Sequence, residues 1–310
     1  MSQELLLISG NAHPELSQAI AEKSFVRLVD AEIGQFADGE TKVKINDNVR
    51  EKDVFVIQPT GPPVDHNIME LLIISDALRR SSANRITAVT PYFGYARQDR
   101  KDDSRVPISA KLAVDLFETA GIGRICAVDL HAGQIQGFTN MPIDHLYARK
   151  TIVDSMRDVL DHPVIVGPDL GAGNKARAVA RKLKTEWAIV DKDRQDDKVT
   201  HVEAIVGHSV HKRNVLMVDD IISTGGSILS AAEALKKRGA LLVYAAITHG
   251  VLCGDAVEQV EASPYLDKLY VTDSLPGPVT SKIGRITIST LLANAIKNIH
   301  AGESVSELFD

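Results

Sequence analysis

"VLMVDDIISTGGSI", Val215 to Ile228, is the stretch on which the fold of this chain turns. Val215 to Val218 form a short continuous apolar run, of the kind that builds a strand buried on both faces of a parallel sheet. Two adjacent acids follow, Asp219 and Asp220, and then a turn of small residues: Ser223, Thr224, Gly225, Gly226 and Ser227. Beyond it "SILSAAEALKKRG" has helical spacing and stops at Gly239. A glycine turn that opens a helix offers backbone N–H groups and the positive end of the helix dipole to an anion. The glycines alone fit an ordinary strand-to-helix turn equally well. The two acids fit it poorly. They fall at the carboxyl end of a strand, where open α/β sheets bind ligands, and carboxylates accept hydrogen bonds from sugar hydroxyls. The stretch therefore predicts a sugar-phosphate site, with the turn for the phosphate and the acids for ribose hydroxyls.

The same alternation of strand and helix extends in both directions. "ELLLISG", "DVFVIQP", "RITAVTPYFG" and "RICAVDLH" read as strands, with "NIMELLIISDALRRSS" and "PISAKLAVDLFETAG" as helices between them. "HPVIVGPD", "EWAIVDKD", "NVLMVDD", "LLVYAAITHG" and "KLYVTDS" repeat the scheme. The expected fold class is α/β: two Rossmann-like units with largely parallel sheets. The break between them falls in "DHLYARK", Asp144 to Lys150, giving domains of residues 1–147 and from 148 onward.

The 310 residues suffice for two such cores. A charged content of 25% with 44% hydrophobic residues is that of a globular protein in water. A net charge of −6 without a long basic run argues against nucleic acid as a partner. No apolar stretch approaches the ~20 residues of a membrane span, and "MSQELLLISG" reads as a strand rather than a signal peptide. Cys126 and Cys253 lack metal-ligand spacing and read as reduced thiols of a cytoplasmic protein.

Three further stretches carry chemistry. "PYFGYARQDRKDDSR", Pro91 to Arg105, places Arg97, Arg100, Lys101 and Arg105 among Tyr92, Phe93 and Tyr95. Guanidinium groups suit phosphates and rings can stack on a base, whereas a plain solvated loop has no use for the aromatics. "VDLHAGQIQG" sets Asp129 and His131 two apart at a strand end, on one side of an extended chain. Asp169 in "VGPDL" holds the corresponding place in the second half. His131 and Asp169 are either structural or share an Mg²⁺ that carries a nucleotide. "AIVDKDRQDDKVTHVEAIVG" leaves a strand and enters a polar loop with Lys192 and Arg194. The residues alone leave this loop open between a solvated hairpin tip and two cations that close over transferring phosphates.

Taken in order, these motifs resemble the ribose-phosphate diphosphokinases, also called phosphoribosyl pyrophosphate synthetases. The likeness runs from "LISGNAHPELS" through "FADGE", "PYFGYARQDRKD", "DLHAGQIQGF", "PIDHLYA", "VDDIISTGG" and "THGVLCG" to "GESVSELF". It implies two phosphoribosyltransferase-type domains, the second of residues 148–295, with a C-terminal helix at about 296–310 returning to the first. It implies a homo-oligomer built on dimers, commonly a hexamer. The implied reaction moves the β,γ-diphosphate of ATP to the C1 hydroxyl of ribose 5-phosphate with Mg²⁺, releasing AMP. Arg97, Gln98 and Asp102 would contact ATP, and Phe36, Asp38 and Glu40 would form an adenine-binding loop lent to a neighbouring subunit. His131 and Asp169 would hold Mg²⁺-ATP, and Lys192 and Arg194 match the family's catalytic K-x-R. Asp219 and Asp220 would hold ribose hydroxyls, with Ser223 and Thr224 to Ser227 forming the loop for the 5-phosphate. Arg50, Ser82, Arg105, Ser304 and Ser306 fit the family's regulatory anion site between subunits.

Three departures stand out. Ser223 replaces an acid found in many members, Asp193 separates the two catalytic cations, and "VGPDLGAGNKARAVA" differs from the usual "SPD-GG-KRA". No separate general base stands out; Asp219 or Asp220 is the candidate proton acceptor. A phosphoribosyltransferase would share the "VDDIISTGGS" loop without needing the Arg97 or Lys192 stretches. A non-catalytic regulatory relative would be expected to break the metal or cation residues, all of which are present.

Overall fold

The computed structural model describes residues 3–196 and 199–308, and the side chains of residues 192–203 lie outside that description. The chain divides into two compact units: 1–148 with 274–276 and 288–310, and 149–273 with 277–287.

The first unit contains β1 (Leu5–Ser9), α1 (Pro14–Ser24), β2 (Ala31–Gln35), β3 (Thr41–Ile45), β4 (Asp53–Ile57), α2 (Val64–Arg80), β5 (Arg85–Val89), α3 (Ser109–Ala120), β6 (Arg124–Val128) and β7 (Ile143–Leu146). β1, β4, β5, β6 and β7 lie side by side in that order, all parallel, while β2 and β3 form a separate antiparallel hairpin. β4 is buried at every position, as its unbroken run "DVFVI" requires of a strand covered on both faces. Its core sets Leu6, Ile8, Val54, Val56 and Ile86 against Leu71, Ile74, Leu78 and Phe117 of the helices.

The second unit contains α4 (Arg149–Met156), β8 (Val164–Gly167), α5 (Gly173–Leu183), β9 (Trp187–Asp196), β10 (Val199–Gly207), β11 (Val215–Ile222), α6 (Gly226–Lys237), β12 (Val243–Gly250), α7 (Ala256–Ala262), β13 (Lys268–Thr272) and β14 (Ile283–Ile286). Among the described residues its sheet runs β10-β9-β8-β11-β12-β13-β14, parallel except for the β9–β10 hairpin. From β8 the chain builds outward through β9 and β10, then returns to β11 and builds the other way through β12, β13 and β14. The order therefore reverses between β8 and β11, and the crevice at the carboxyl ends of those two strands is the topological switch point where such sheets take ligands.

The last helix, α8 (Ser289–Ala301), belongs to the first unit and packs on α1. It starts and ends earlier than the 296–310 expected, because Gly302, with φ +74°, closes it. Among the described residues no helix is long and apolar enough to cross a membrane.

Candidate active site

β11 carries the two acids just beyond its fully buried half, Val215–Val218. It pairs with β12 from Val215 to Ile222, but with β8 only from Val215 to Met217. Asp219 and Asp220 therefore lie just past the point where β8 ends, on the open side of the switch point. Gly225 then adopts φ +85°, a left-handed conformation that a side chain disfavours, and α6 begins at Gly226. The first amide to close onto the helix is that of Leu229, donating to the Gly225 carbonyl at 2.9 Å. The leading N–H groups of a helix point out of its end, and here they sit among the exposed Thr224, Gly226 and Ser227. Ser223 is turned differently. Its hydroxyl donates to the Cys253 sulfur at 3.6 Å, and its carbonyl accepts from the Cys253 N–H at 3.0 Å. That pins the loop to the turn after β12.

The acids have a partner that the motif reading did not single out. Lys175 on α5 places Nζ 2.6 Å from Asp220 Oδ1 and 3.7 Å from Asp219 Oδ1. The Asp220 N–H donates to Asp219 Oδ1 at 2.8 Å. Burial pushes the Asp219 carboxyl up to about 7; its hydrogen bond to Asp220 and their like charge add to this, and Lys175 opposes it. The letters "NKA" gave no hint of this pairing, which spans 45 positions of sequence. At the end of β8, Asp169 accepts the Ala172 N–H on Oδ1 at 3.0 Å, fixing the turn into α5.

In the first unit the stretch after β5 separates into two parts. Tyr92 and Phe93 are buried, and Phe93 meets Phe117 edge-on at 5.6 Å. The Tyr95 hydroxyl is hydrogen-bonded to Asp65. The rings expected to stack on a base instead anchor the loop to the core, because apolar area buried under α3 outweighs an exposed stacking position. Arg97, Arg100, Lys101, Asp102 and Arg105 remain exposed. The Gln98 side chain accepts from Ser109 Oγ at 2.5 Å, tying this loop to the start of α3. Gln134 donates to Asp99, tying it also to the short 3-10 turn at Gly133–Gly137, just beyond the exposed His131. Asp129 has φ +40°, and its carboxylate accepts the Ala148 N–H at 3.2 Å, so it serves the turn.

Phe36, Asp38 and Glu40 form the exposed tip of the β2–β3 hairpin. The Phe36 N–H donates to the Glu40 carbonyl at 2.8 Å, and Asp38 Oδ1 accepts the Glu40 N–H at 3.2 Å. Phe36 is 52% exposed. Of the residues expected at a regulatory anion site, Arg105 lies on the exposed loop after β5 and the other four fall in two further places. The Glu51 N–H donates to the Ser82 carbonyl at 2.8 Å, setting the Arg50 segment beside Ser82. Ser304 and Ser306 line a cleft of about 310 Å³ with Arg124 and Asp144.

Lys192 and Arg194 lie on β9, opposite Val202 and Thr200 of β10. The polar loop expected from Asp191 is thus continued strand, since a hairpin satisfies its backbone groups whatever the side chains. The side chains of Lys192 and Arg194 lie outside the described residues.

Among the described residues no group of three or more His, Cys, Asp or Glu side chains is placed to hold a metal ion. The expected donors are His131 in the first unit and Asp169 in the second; an imidazole and a carboxylate are few donors, of a kind that suits Mg²⁺, which keeps waters and binds substrate phosphates, and not a structural zinc site.

Known proteins match this chain along its whole length. Residues 5–121 match the N-terminal domain of ribose phosphate pyrophosphokinase, and residues 202–310 match the phosphoribosyl synthetase-associated domain. The ribose-phosphate pyrophosphokinase of Chlorobaculum tepidum is 48% identical over 100% of this chain and 96% of its own length. That of Haemophilus ducreyi is 46% identical over 99% of both. Among solved structures, phosphoribosylpyrophosphate synthetase from Mycobacterium smegmatis superposes with a TM-score of 0.89 at 37% identity, covering 97% of this chain and 100% of that one. End-to-end identity of this extent, on a fold that sets two acids and a glycine turn at its switch point, places the chain in the ribose-phosphate pyrophosphokinase family.

Proposed function

We propose that this protein transfers the β,γ-diphosphate of Mg²⁺-ATP to the C1 hydroxyl of ribose 5-phosphate, forming phosphoribosyl pyrophosphate and AMP. The observation that carries this is the 48% identity to a ribose-phosphate pyrophosphokinase along the entire chain. The C1 hydroxyl oxygen attacks the β-phosphorus and gives its proton to Asp219 or Asp220, the bond from that phosphorus to the α,β-bridging oxygen breaks, and AMP departs with that oxygen. Asp219 and Asp220 hold the ribose hydroxyls, while the Thr224–Ser227 turn and the amino end of α6 bind the 5-phosphate. Arg97, Gln98 and Asp102 bind the nucleotide from a loop tied to α3 and to the Gly133–Gly137 turn. Lys192 and Arg194 neutralise charge on the transferring diphosphate. His131 and Asp169 would hold the Mg²⁺, which when bound screens phosphate charge and orients the diphosphate.

The protein acts as a homo-oligomer built on dimers, up to a hexamer, in which the exposed Phe36, Asp38 and Glu40 serve a neighbouring subunit; the bare Phe36 ring supports this. Arg50, Ser82, Arg105, Ser304 and Ser306 form a regulatory anion site. Two free cysteines, Cys126 and Cys253, suit the reducing cytoplasm. The test is to incubate purified protein with Mg²⁺, ATP and ribose 5-phosphate and to identify the nucleotide released. AMP, formed only with all three present, is expected. Stoichiometric ADP would mean γ-phosphoryl transfer and overturn the proposal.

A further inference from the structure

Lys175 stands in an unusual place for a cation. It is the third residue of α5, whose first turn contains no acid, so its charge meets the positive end of the helix dipole. What offsets that is the pair of carboxylates on β11. Their side chains are 16% and 6% exposed, against 39% for the lysine, so the ion pairs point inward from a partly hydrated stem. One ammonium serves two adjacent acids, so with both ionised the three groups carry a net charge of −1.

We propose that Lys175 is a positioning residue for sugar recognition: by bridging Asp219 and Asp220 it orients both carboxylates and favours their charged form as acceptors for the ribose hydroxyls. This rests on the reading of the β11–α6 turn as the ribose 5-phosphate site.

The physical reason is the repulsion between two adjacent carboxylates. Two buried carboxylates in contact share a proton unless a cation intervenes, and a protonated carboxyl offers a hydroxyl an O–H where an acceptor is wanted. The Asp219 carboxyl already lies at about 7, raised by burial first and then by Asp220, with Lys175 as the influence that lowers it. β12 carries His249 opposite Ile221 of β11, and β8 leads to Asp169, but the charges that act on Asp219 are Asp220 and Lys175. Without the ammonium, the influence that lowers the Asp219 carboxyl is gone, so the pair holds its proton to higher pH, and Asp220 loses its 2.6 Å contact with Lys175. The consequence belongs to the sugar and not to the nucleotide.

The experiment measures kcat and the KM values for ribose 5-phosphate and for ATP between pH 6 and 9, on the full chain with Mg²⁺. The variants are Lys175→Met, Lys175→Gln and Lys175→Arg, with Asp220→Asn as the reference for the site. Each unit by which the acids' titration moves up corresponds to a tenfold loss of the charged form below it. At pH 7, Lys175→Met and Lys175→Gln are expected to raise the ribose 5-phosphate KM about tenfold or more. The KM for ATP stays within about twofold, and the deficit shrinks above pH 8, where the acids ionise unaided. Lys175→Arg restores most of the affinity. The phosphate of the substrate titrates near pH ~6 and moves every variant alike, so the difference from the parent enzyme is the readout. An unchanged sugar KM in both neutral variants would overturn the proposal. So would a loss equal for both substrates and independent of pH, which would make Lys175 a direct ligand or a structural residue. If Asp220→Asn also leaves the sugar KM unchanged, it is the placement of the sugar site that fails. If Asp220→Asn weakens the sugar while Lys175→Met and Lys175→Gln do not, only the role of Lys175 fails.

Discussion

Asp53→Ala should loosen the C-terminal helix by a predictable amount. Asp53 begins β4 and is 1% exposed. It accepts Arg85 Nε at 2.7 Å, a second Arg85 N–H on its other oxygen, and His300 Nδ1 at 2.7 Å. Arg85 also donates to the Ile299 carbonyl at 3.1 Å, so the last turn of α8 is tied to the amino ends of β4 and β5 through this carboxylate and the arginine it holds. Removing one partner of a buried ion pair costs about 3–5 kcal/mol. The low end applies here, because Arg85 and His300 are 33% and 23% exposed and regain water once abandoned. A loss of about 3 kcal/mol corresponds to a roughly 10²-fold shift in the local opening equilibrium. Native-state hydrogen exchange on the amides of α8 measures that opening directly, without assuming that two units unfold in one step. Glu4→Ala, which breaks the more exposed Lys52 pair, is the control and should change exchange less than tenfold. If the α8 amides exchange in Asp53→Ala within a few-fold of the parent, the carboxylate does not hold the helix and this reasoning is refuted.

Asp219→Asn tests the raised carboxyl through stability. A folded-state value of about 7 against about 4 in the unfolded chain means that this group's stabilisation is full below pH ~4 and is lost as pH rises through 7. The advantage of the Asn variant over the parent should therefore be larger at pH 8 than at pH 5, and a flat or reversed difference in second-unit hydrogen exchange counts against it. Gly225→Ala places a Cβ at φ +85°, which should cost about 1–2 kcal/mol and raise the ribose 5-phosphate KM more than that for ATP. Equal effects on both substrates would separate the turn from the sugar phosphate. Lys192→Ala should lower kcat by roughly 10²–10³ with KM values moved only a few-fold, and near-normal turnover would return β9 to a structural role. An Arg97→Ala chain mixed with an Asp38→Ala chain should regain activity if the hairpin serves a neighbour; no recovery after verified subunit exchange would place both groups in one subunit.

The sequence alone determined whatever depends on neighbours along the chain. The run Val215–Val218, the glycines after it and the helical spacing beyond specify strand, turn and helix, because each is a local preference repeated over several residues. The alternation of such units specified an α/β fold with mainly parallel sheets. Side-chain direction was beyond its reach. Tyr92 and Phe93 look like stacking rings in a charged loop, and only the tertiary structure, which sets Phe93 against Phe117 of α3, makes them core. The polar stretch after Asp191 carried no strand signal, since what makes it a strand is backbone pairing with β10. Lys175 is the sharpest case. Nothing near it in sequence points to an acid, and its partners 44 and 45 positions away are brought within reach by the switch of strand order between β8 and β11. Local periodicity encodes the elements, but the charge state of a buried pair depends on which distant groups the sheet order sets beside it, and that is decided by tertiary structure.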